Sequence, residues 1–132
     1  MRYHKEVTMN MQQLQQINVD QLPHSLQVLI DCIGVEQAYR LTQLYGGRPR
    51  YIPKHPQRTA LAEHLNAESV VALIQRFAGM ALEIPKADHF LRQWRNQQIH
   101  HETRNGTSRS VLAHKYGLSQ RQIGNIRRNG AL

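Results

Sequence analysis

The chain has 132 residues, 40% hydrophobic and 20% charged, the composition of one globular domain or of a domain with a small appended module. Its single cysteine, Cys32, excludes an intrachain disulfide and a cysteine-based zinc site, and no apolar run approaches the ~20 residues of a membrane helix. Seventeen Lys and Arg against nine Asp and Glu give a net charge of +8, and the excess is not spread evenly. Residues 1–85 are close to neutral, whereas residues 86–132 set Lys86, Arg92, Arg95, Arg104, Arg109, Lys115, Arg121, Arg127 and Arg128 against Asp88 and Glu102. A reducing, cytoplasmic setting is expected, with a polyanion as the partner of the basic part.

Residues 1–20 form a polar, Gln-rich N-terminal segment, with a frayed start or a short helix expected. From Pro23 the recurrence of Leu26, Leu29, Ile30 and Ile33 predicts a helix, which Gly34 interrupts. A second helical stretch carries Ala38, Leu41, Leu44 and Tyr45 and stops at Gly46-Gly47. Arg48-Pro49-Arg50-Tyr51-Ile52-Pro53 then reads as a short, proline-bounded edge strand.

The same order recurs downstream. Residues 57–65 and 67–77 read as helices, Ala78-Gly79 ends the second, and Ala81-Leu82-Glu83-Ile84-Pro85 reads as a strand. A shift of 32 residues superposes Glu36 on Glu68, Leu41 on Leu73, Gln43 on Gln75 and Gly47 on Gly79. It also superposes Ile52 on Ile84, Pro53 on Pro85 and Lys54 on Lys86. Residues 21–85 are therefore read as two copies of a helix–helix–strand unit. A lone unit cannot bury its apolar face, so the copies should pack on each other, with their strands paired as a two-stranded ribbon.

Residues 86–104 form the last long helix, with Ala87, Phe90, Leu91 and Trp94 on one side and Asn105-Gly106 at its end. The sharpest pattern follows at residues 109–128. Leu112 and Ala113 are the inward residues of a first short helix, Gly117 supplies a turn tolerant of positive φ, and Leu118 plugs the core. Ser119 with Gln122 forms a capping box that starts a second helix, and Ile123 and Ile126 mark its buried side. These features predict a C-terminal helix-turn-helix, which places residues 86–132 in a DNA-binding domain. The whole is thus mainly α: tandem helix–helix–strand units forming a small helical core with a two-stranded ribbon, then the helix-turn-helix.

At 100° per residue, Arg121, Asn125 and Arg128 line up opposite the two isoleucines, with Gly124 beside them. Arg and Asn are the side chains that read guanine and adenine edges in the major groove. Ser119, Gln120 and Gln122 lie at the helix start, where the first base or phosphate contacts fall, and Arg109, Lys115 and Arg127 suit phosphates. Arg48 and Arg50, in Gly-Arg-Pro-Arg, are candidate backbone contacts, although a turn with exposed charge is the preferred account of them. His100-His101-Glu102 lacks the second histidine of a zinc-protease helix, since Asn105 stands at that position. With no catalytic constellation, phosphate loop or dinucleotide fingerprint, no enzyme, metal, cofactor or small-molecule substrate is expected.

Three groups of residues resemble the Mor (middle operon regulator) transcription activator family of transposable phages and prophages. They are Gly46-Gly47 with Tyr51-Ile52-Pro53-Lys54, then Ile84-Pro85-Lys86 opening a helix, then Arg104-Asn105-Gly106 with Leu112, Tyr116-Gly117-Leu118 and Arg127-Arg128. The likeness spans roughly residues 25–130. It implies a sequence-specific activator with a dimerisation region and a helix-turn-helix. Such an activator works as a homodimer on a dyad site and helps to recruit RNA polymerase. The family has one helix–helix–strand unit per chain, whereas two are read here, so an intrachain pseudo-dimer is the alternative to a homodimer. Two other readings keep the same residues: an adaptor or anti-repressor that binds protein through the helical module, and a recombination accessory factor that bends DNA.

Overall fold

The structure is a computed structural model that describes residues 8–55 and 60–129. It is mainly helical, with one small antiparallel sheet. The elements are α1 (Met11–Gln15), α2 (His24–Tyr45), β1 (Arg48–Tyr51), α3 (Ala67–Phe77), β2 (Ala81–Ile84), α4 (Asp88–Arg104), α5 (Arg109–Tyr116) and α6 (Gln120–Asn129), with 3-10 turns at Val19–Gln21 and Ala60–Glu63. No helix among the described residues is long and apolar enough to cross a membrane. The described residues divide into two compact units, one within residues 14–90 and one of residues 91–129 with 8–13.

Within its described residues, the Gln-rich start holds a short helix, one of its two expected forms. Asn10 and Gln13 each accept the other's backbone N–H at 2.9 Å, a reciprocal cap on α1, and Leu14 is buried.

In the unit of residues 14–90, α2 is broken at Gly34 (φ +83°), a left-handed conformation that glycine adopts without the cost of a Cβ. The two segments correspond to the two helical stretches read from the sequence. Thirty-two residues on, Asn66 stands at the start of α3, and its side chain accepts the Ser69 N–H at 2.8 Å. The helix expected at 57–65 is, within the described residues, only a 3-10 turn at Ala60–Glu63; residues 56–59 lie outside them. A single apolar anchor, Leu61, fills the core from this turn, and one turn is all that its burial requires.

β1 and β2 pair antiparallel with Arg48 opposite Ile84 and Tyr51 opposite Ala81. The ends of this ribbon repeat each other. Gly47 donates its N–H to the Ile84 carbonyl at 2.7 Å, and Gly79 donates to the Ile52 carbonyl at 2.7 Å. Both glycines have positive φ, +90° and +80°. The Lys86 side chain lies over Gly47, and the Lys54 side chain lies over Gly79. The helix ends before them also match: Gly46 donates to the Thr42 carbonyl at 2.9 Å and Ala78 to the Ile74 carbonyl at 3.0 Å.

The core of this unit obeys the same spacing. Leu29 and Leu61, Ala38 and Val70, Leu41 and Leu73, and Ile52 and Ile84 are all buried in one cluster, each pair 32 residues apart. Polar ties cross between the halves, with Gln37 Oε1 accepting the Asn66 N–H at 2.9 Å and the Arg40 guanidinium donating to the His64 carbonyl. Phe90, in the first turn of α4, is fully buried edge-on against Tyr39, with ring centroids 5.3 Å apart.

Candidate nucleic-acid interface

The second unit is built around Ile99 of α4, Leu112, Ala113 and Tyr116 of α5, and Ile123 of α6, with Leu118 and Ile126 packed against them. Each helix end is locally specified. α4 closes with Thr107 donating to the Glu102 carbonyl at 2.9 Å and Gly106 (φ +92°) donating to the Thr103 carbonyl at 3.0 Å. This is the Schellman arrangement, and glycine supplies its left-handed residue. Ser108 then caps α5 by accepting the Val111 N–H. α5 ends at Gly117 (φ +67°, ψ +34°), and Leu118 donates back to the Ala113 carbonyl at 3.0 Å. Ser119 and Gln122 form the reciprocal box at the start of α6: Gln122 Oε1 accepts the Ser119 N–H at 2.8 Å, and Ser119 Oγ accepts the Gln122 N–H at 3.0 Å.

These constraints fix which way α6 faces. Ile123 is fully buried and Ile126 half-buried, while Arg121, Asn125 and Arg128 are exposed along the other side. Gln120 is exposed next to them. Arg121 makes no hydrogen bond or ion pair among the described residues, so its guanidinium is uncommitted. Asn125 Oδ1 accepts from Arg128. Gly124 lies under two guanidinium groups: a Cβ placed there would be 3.7 Å from one nitrogen of Arg128 and 3.9 Å from one of Arg109. Two like charges gathered over a bare patch of backbone, with no carboxylate between them among the described residues, make a place where an anion is favoured.

The remaining sequence-predicted residues are held differently. Ser119 and Gln122 have their side chains occupied by the cap. Arg127 turns inward: its Nε–H donates to Thr103 Oγ1 at 3.1 Å, and its terminal nitrogen donates to the Thr107 carbonyl at 3.0 Å. It braces α6 to the end of α4. Lys115 is about half exposed and pairs with Glu102 at 2.7 Å, while the Tyr116 hydroxyl donates to the other carboxylate oxygen. Burial alone would raise the Glu102 pKa. The hydrogen bonds from Lys115 and Tyr116, with the charges of Lys115 and His101, outweigh it and hold the carboxyl below its ordinary value. The His100 imidazole is also pushed down, first by burial and then by the Arg104 charge.

Arg48 and Arg50 belong to the other unit. Arg48 is exposed, while the Arg50 guanidinium stacks over the Tyr45 ring at 3.9 Å from its centroid. On the ribbon, Arg48 and Arg50 share a face with Leu82 and Ile84, which pack toward the core; the outward face carries Pro49, Tyr51, Ala81 and Glu83.

The sequence reading overlooked Ile99, Glu102 and the Thr103–Thr107 carbonyl-and-hydroxyl seat of Arg127. Glu102 carried a usable signal, being the lone acidic residue between positions 91 and 129. A solitary carboxylate in so cationic a stretch is placed where it holds two elements together.

No curated protein and no solved structure matches the chain. The family model of the Mor transcription activators matches residues 55–129, more than half of the chain. The matched stretch contains Ile84-Pro85-Lys86, α4, α5 and α6, and begins after Tyr51-Ile52-Pro53-Lys54. The chain therefore belongs to the Mor transcription activator family, a family of regulators and not of enzymes.

Proposed function

We propose that the protein is a sequence-specific regulator that binds duplex DNA through a helix-turn-helix formed by α5 and α6, within a DNA-binding region at residues 86–132. α6 enters the major groove with Arg121 and Asn125 toward base edges and Gln120 at the leading end. Arg128 and Arg109, gathered over Gly124, take a phosphate, and Lys115 reaches another when it leaves Glu102. Ser119 and Gln122 set the start of the helix, and Arg127 holds its angle. As a member of an activator family, the protein acts at a promoter and helps to recruit RNA polymerase; a phage or prophage origin and a cytoplasmic site of action fit this role.

One observation carries the reading. The Arg121–Asn125–Arg128 stripe is exposed along a helix whose opposite side is locked into the core by Ile123. A solvated polar face would satisfy the same geometry, but it would not need Arg109 and Arg128 to converge on Gly124 with no counter-charge among the described residues.

The test is selection of bound sequences from a random duplex pool at ~150 mM salt, followed by titration of the selected duplex against a scrambled one. Specific helix-turn-helix binding predicts a preference on the order of 10³ or more. Equal affinity for both duplexes, or no retention of either, would refute the proposal.

A further inference from the structure

The core of residues 24–86 is symmetric in a way that bears on how many copies of the chain occupy DNA. Four core positions of the first half, Leu29, Ala38, Leu41 and Ile52, have counterparts 32 residues later in the same buried cluster. The symmetry extends to atoms that composition does not dictate. Gly47 and Gly79 have the same left-handed backbone and the same 2.7 Å bond to the opposite strand. Lys86 and Lys54 cover them in the same manner. The pairing register obeys the same two-fold, since Arg48 opposite Ile84 is matched by Ile52 donating to the Met80 carbonyl at 2.9 Å. This is the arrangement of an isologous dimer, in which the same patch meets itself, contained in one polypeptide.

We propose that residues 24–54 are a built-in partner for residues 60–86. The chain then works as a single copy, with one recognition module, on an asymmetric duplex site. The faces through which a helix–helix–strand unit would meet a second chain are consumed internally: Leu29, Leu41, Leu61, Leu73, Ile52 and Ile84 are all at most 2% exposed. The ribbon offers little to a further strand. Each strand has four residues, and Ile52 donates inward, so the alternation puts Pro49, which has no N–H, at the outer edge of β1. The family match, at residues 55–129, takes in the second half of the pair and the module that follows it. The first half supplies its partner in cis. The homodimer implied by the family resemblance is thus replaced by a pseudo-dimer. Two modules one helical turn apart would require a dyad, whereas one module reads one half-site. The assignment of site class rests on the proposed DNA-binding function; the internal pairing does not.

Two measurements on the full chain test this. Sedimentation equilibrium without DNA, at micromolar concentration, should give the single-chain mass of 15.3 kDa. A species of twice that mass overturns the single-copy assignment, and one with exchanged strands overturns the internal pairing as well. The duplex selected from a random pool should show one asymmetric motif and bind one chain per duplex by native mass spectrometry. A monomer that loads two copies on a selected dyad overturns the site class. If no duplex is retained, the DNA-binding function is refuted, and the sedimentation mass still decides by itself whether the chain stands alone.

Discussion

Arg121 and Arg127 lie six residues apart on one helix, yet the structure gives them opposite jobs, and a pair of alanine substitutions separates these. Arg121 is exposed and uncommitted, so Arg121→Ala removes no protein contact, and stability should stay within about 0.5 kcal/mol. If its guanidinium grips a base edge, the loss on the selected duplex is about 1–3 kcal/mol, roughly 5- to 150-fold, with little change on random duplex. Arg127 donates to Thr103 Oγ1 and to the Thr107 carbonyl at 3.1 and 3.0 Å. Charged hydrogen bonds of this kind contribute about 1.5–3 kcal/mol in buried settings, and partial exposure here brings the pair to about 1–3 kcal/mol together. Arg127→Ala should therefore lower the melting temperature by about 4 °C or more while retaining discrimination between duplexes. Fluorescence anisotropy on both duplexes across a salt series, beside thermal melts, reads all four quantities. Equal loss on both duplexes for Arg121→Ala would reduce that residue to a phosphate contact. Unchanged stability with a salt slope flatter by about 0.9 for Arg127→Ala would make that residue a phosphate contact instead of a brace.

Glu102→Gln should cost about 1 kcal/mol of stability in urea titrations, because the ion pair it breaks is partly exposed, yet it should tighten duplex binding and steepen the salt slope by releasing Lys115. Acid should act in two stages: the depressed His100 pKa favours the folded state fully above 6.5 and progressively less as pH falls below that value. The depressed Glu102 pKa adds stability that is complete above 4.5 and is lost as pH falls through the folded value; His100→Gln and Glu102→Gln should each abolish one stage in pH-resolved melts. Leu41→Ala and Leu73→Ala, at matched and fully buried positions, should each cost 2–5 kcal/mol by urea unfolding, and a strongly unequal pair would argue against two equivalent halves.

Much of the frame is legible in the sequence because it is written in local chemistry. Gly34, Gly47, Gly79, Gly106 and Gly117 all stand at positive φ, and each marks a break, a stop or a turn in the sequence pattern. The Ser119–Gln122 box and the inward Ile123 follow from spacing alone. The pairing of the two strands as a ribbon follows from the repeat; their antiparallel direction is visible only in the structure. What stayed hidden is non-local. The segment before Asn66 reads as a helix, but its described part is a single 3-10 turn anchored by Leu61. α4 gives almost no periodic signal beyond Trp94, because Ile99 is the one apolar residue among Arg, Gln, Asn and His. The inward turn of Arg127 depends on a hydroxyl and a carbonyl more than twenty residues earlier in one case and twenty in the other, and no spacing rule on α6 encodes that.

The two-fold is also informative where it fails. Gly46 and Ala78 occupy matched helix ends, with φ and ψ of −61° and 144° against −52° and 133°, ordinary values for any residue. Backbone freedom therefore does not explain the glycine. Space does: a Cβ at Gly46 would press first on the Thr42 carbonyl oxygen of its own helix end, and it would also lie 2.8 Å from the Pro85 carbonyl oxygen and 3.0 Å from the Lys86 Cα. At the matched place, Ala78 keeps its methyl group. The difference falls where the chain leaves β2 through Pro85-Lys86 toward α4, while the corresponding Pro53-Lys54 leads only to the second half of the pair. An exact two-fold would give both exits the same path and would put an equal demand for glycine at both ends. Exchanging a methyl for a hydrogen on one side alone lets one exit run close against the helix end, and that exit is the one that carries the basic module. The two halves thus match in their core and differ at one small residue, on the side from which the chain continues into α4.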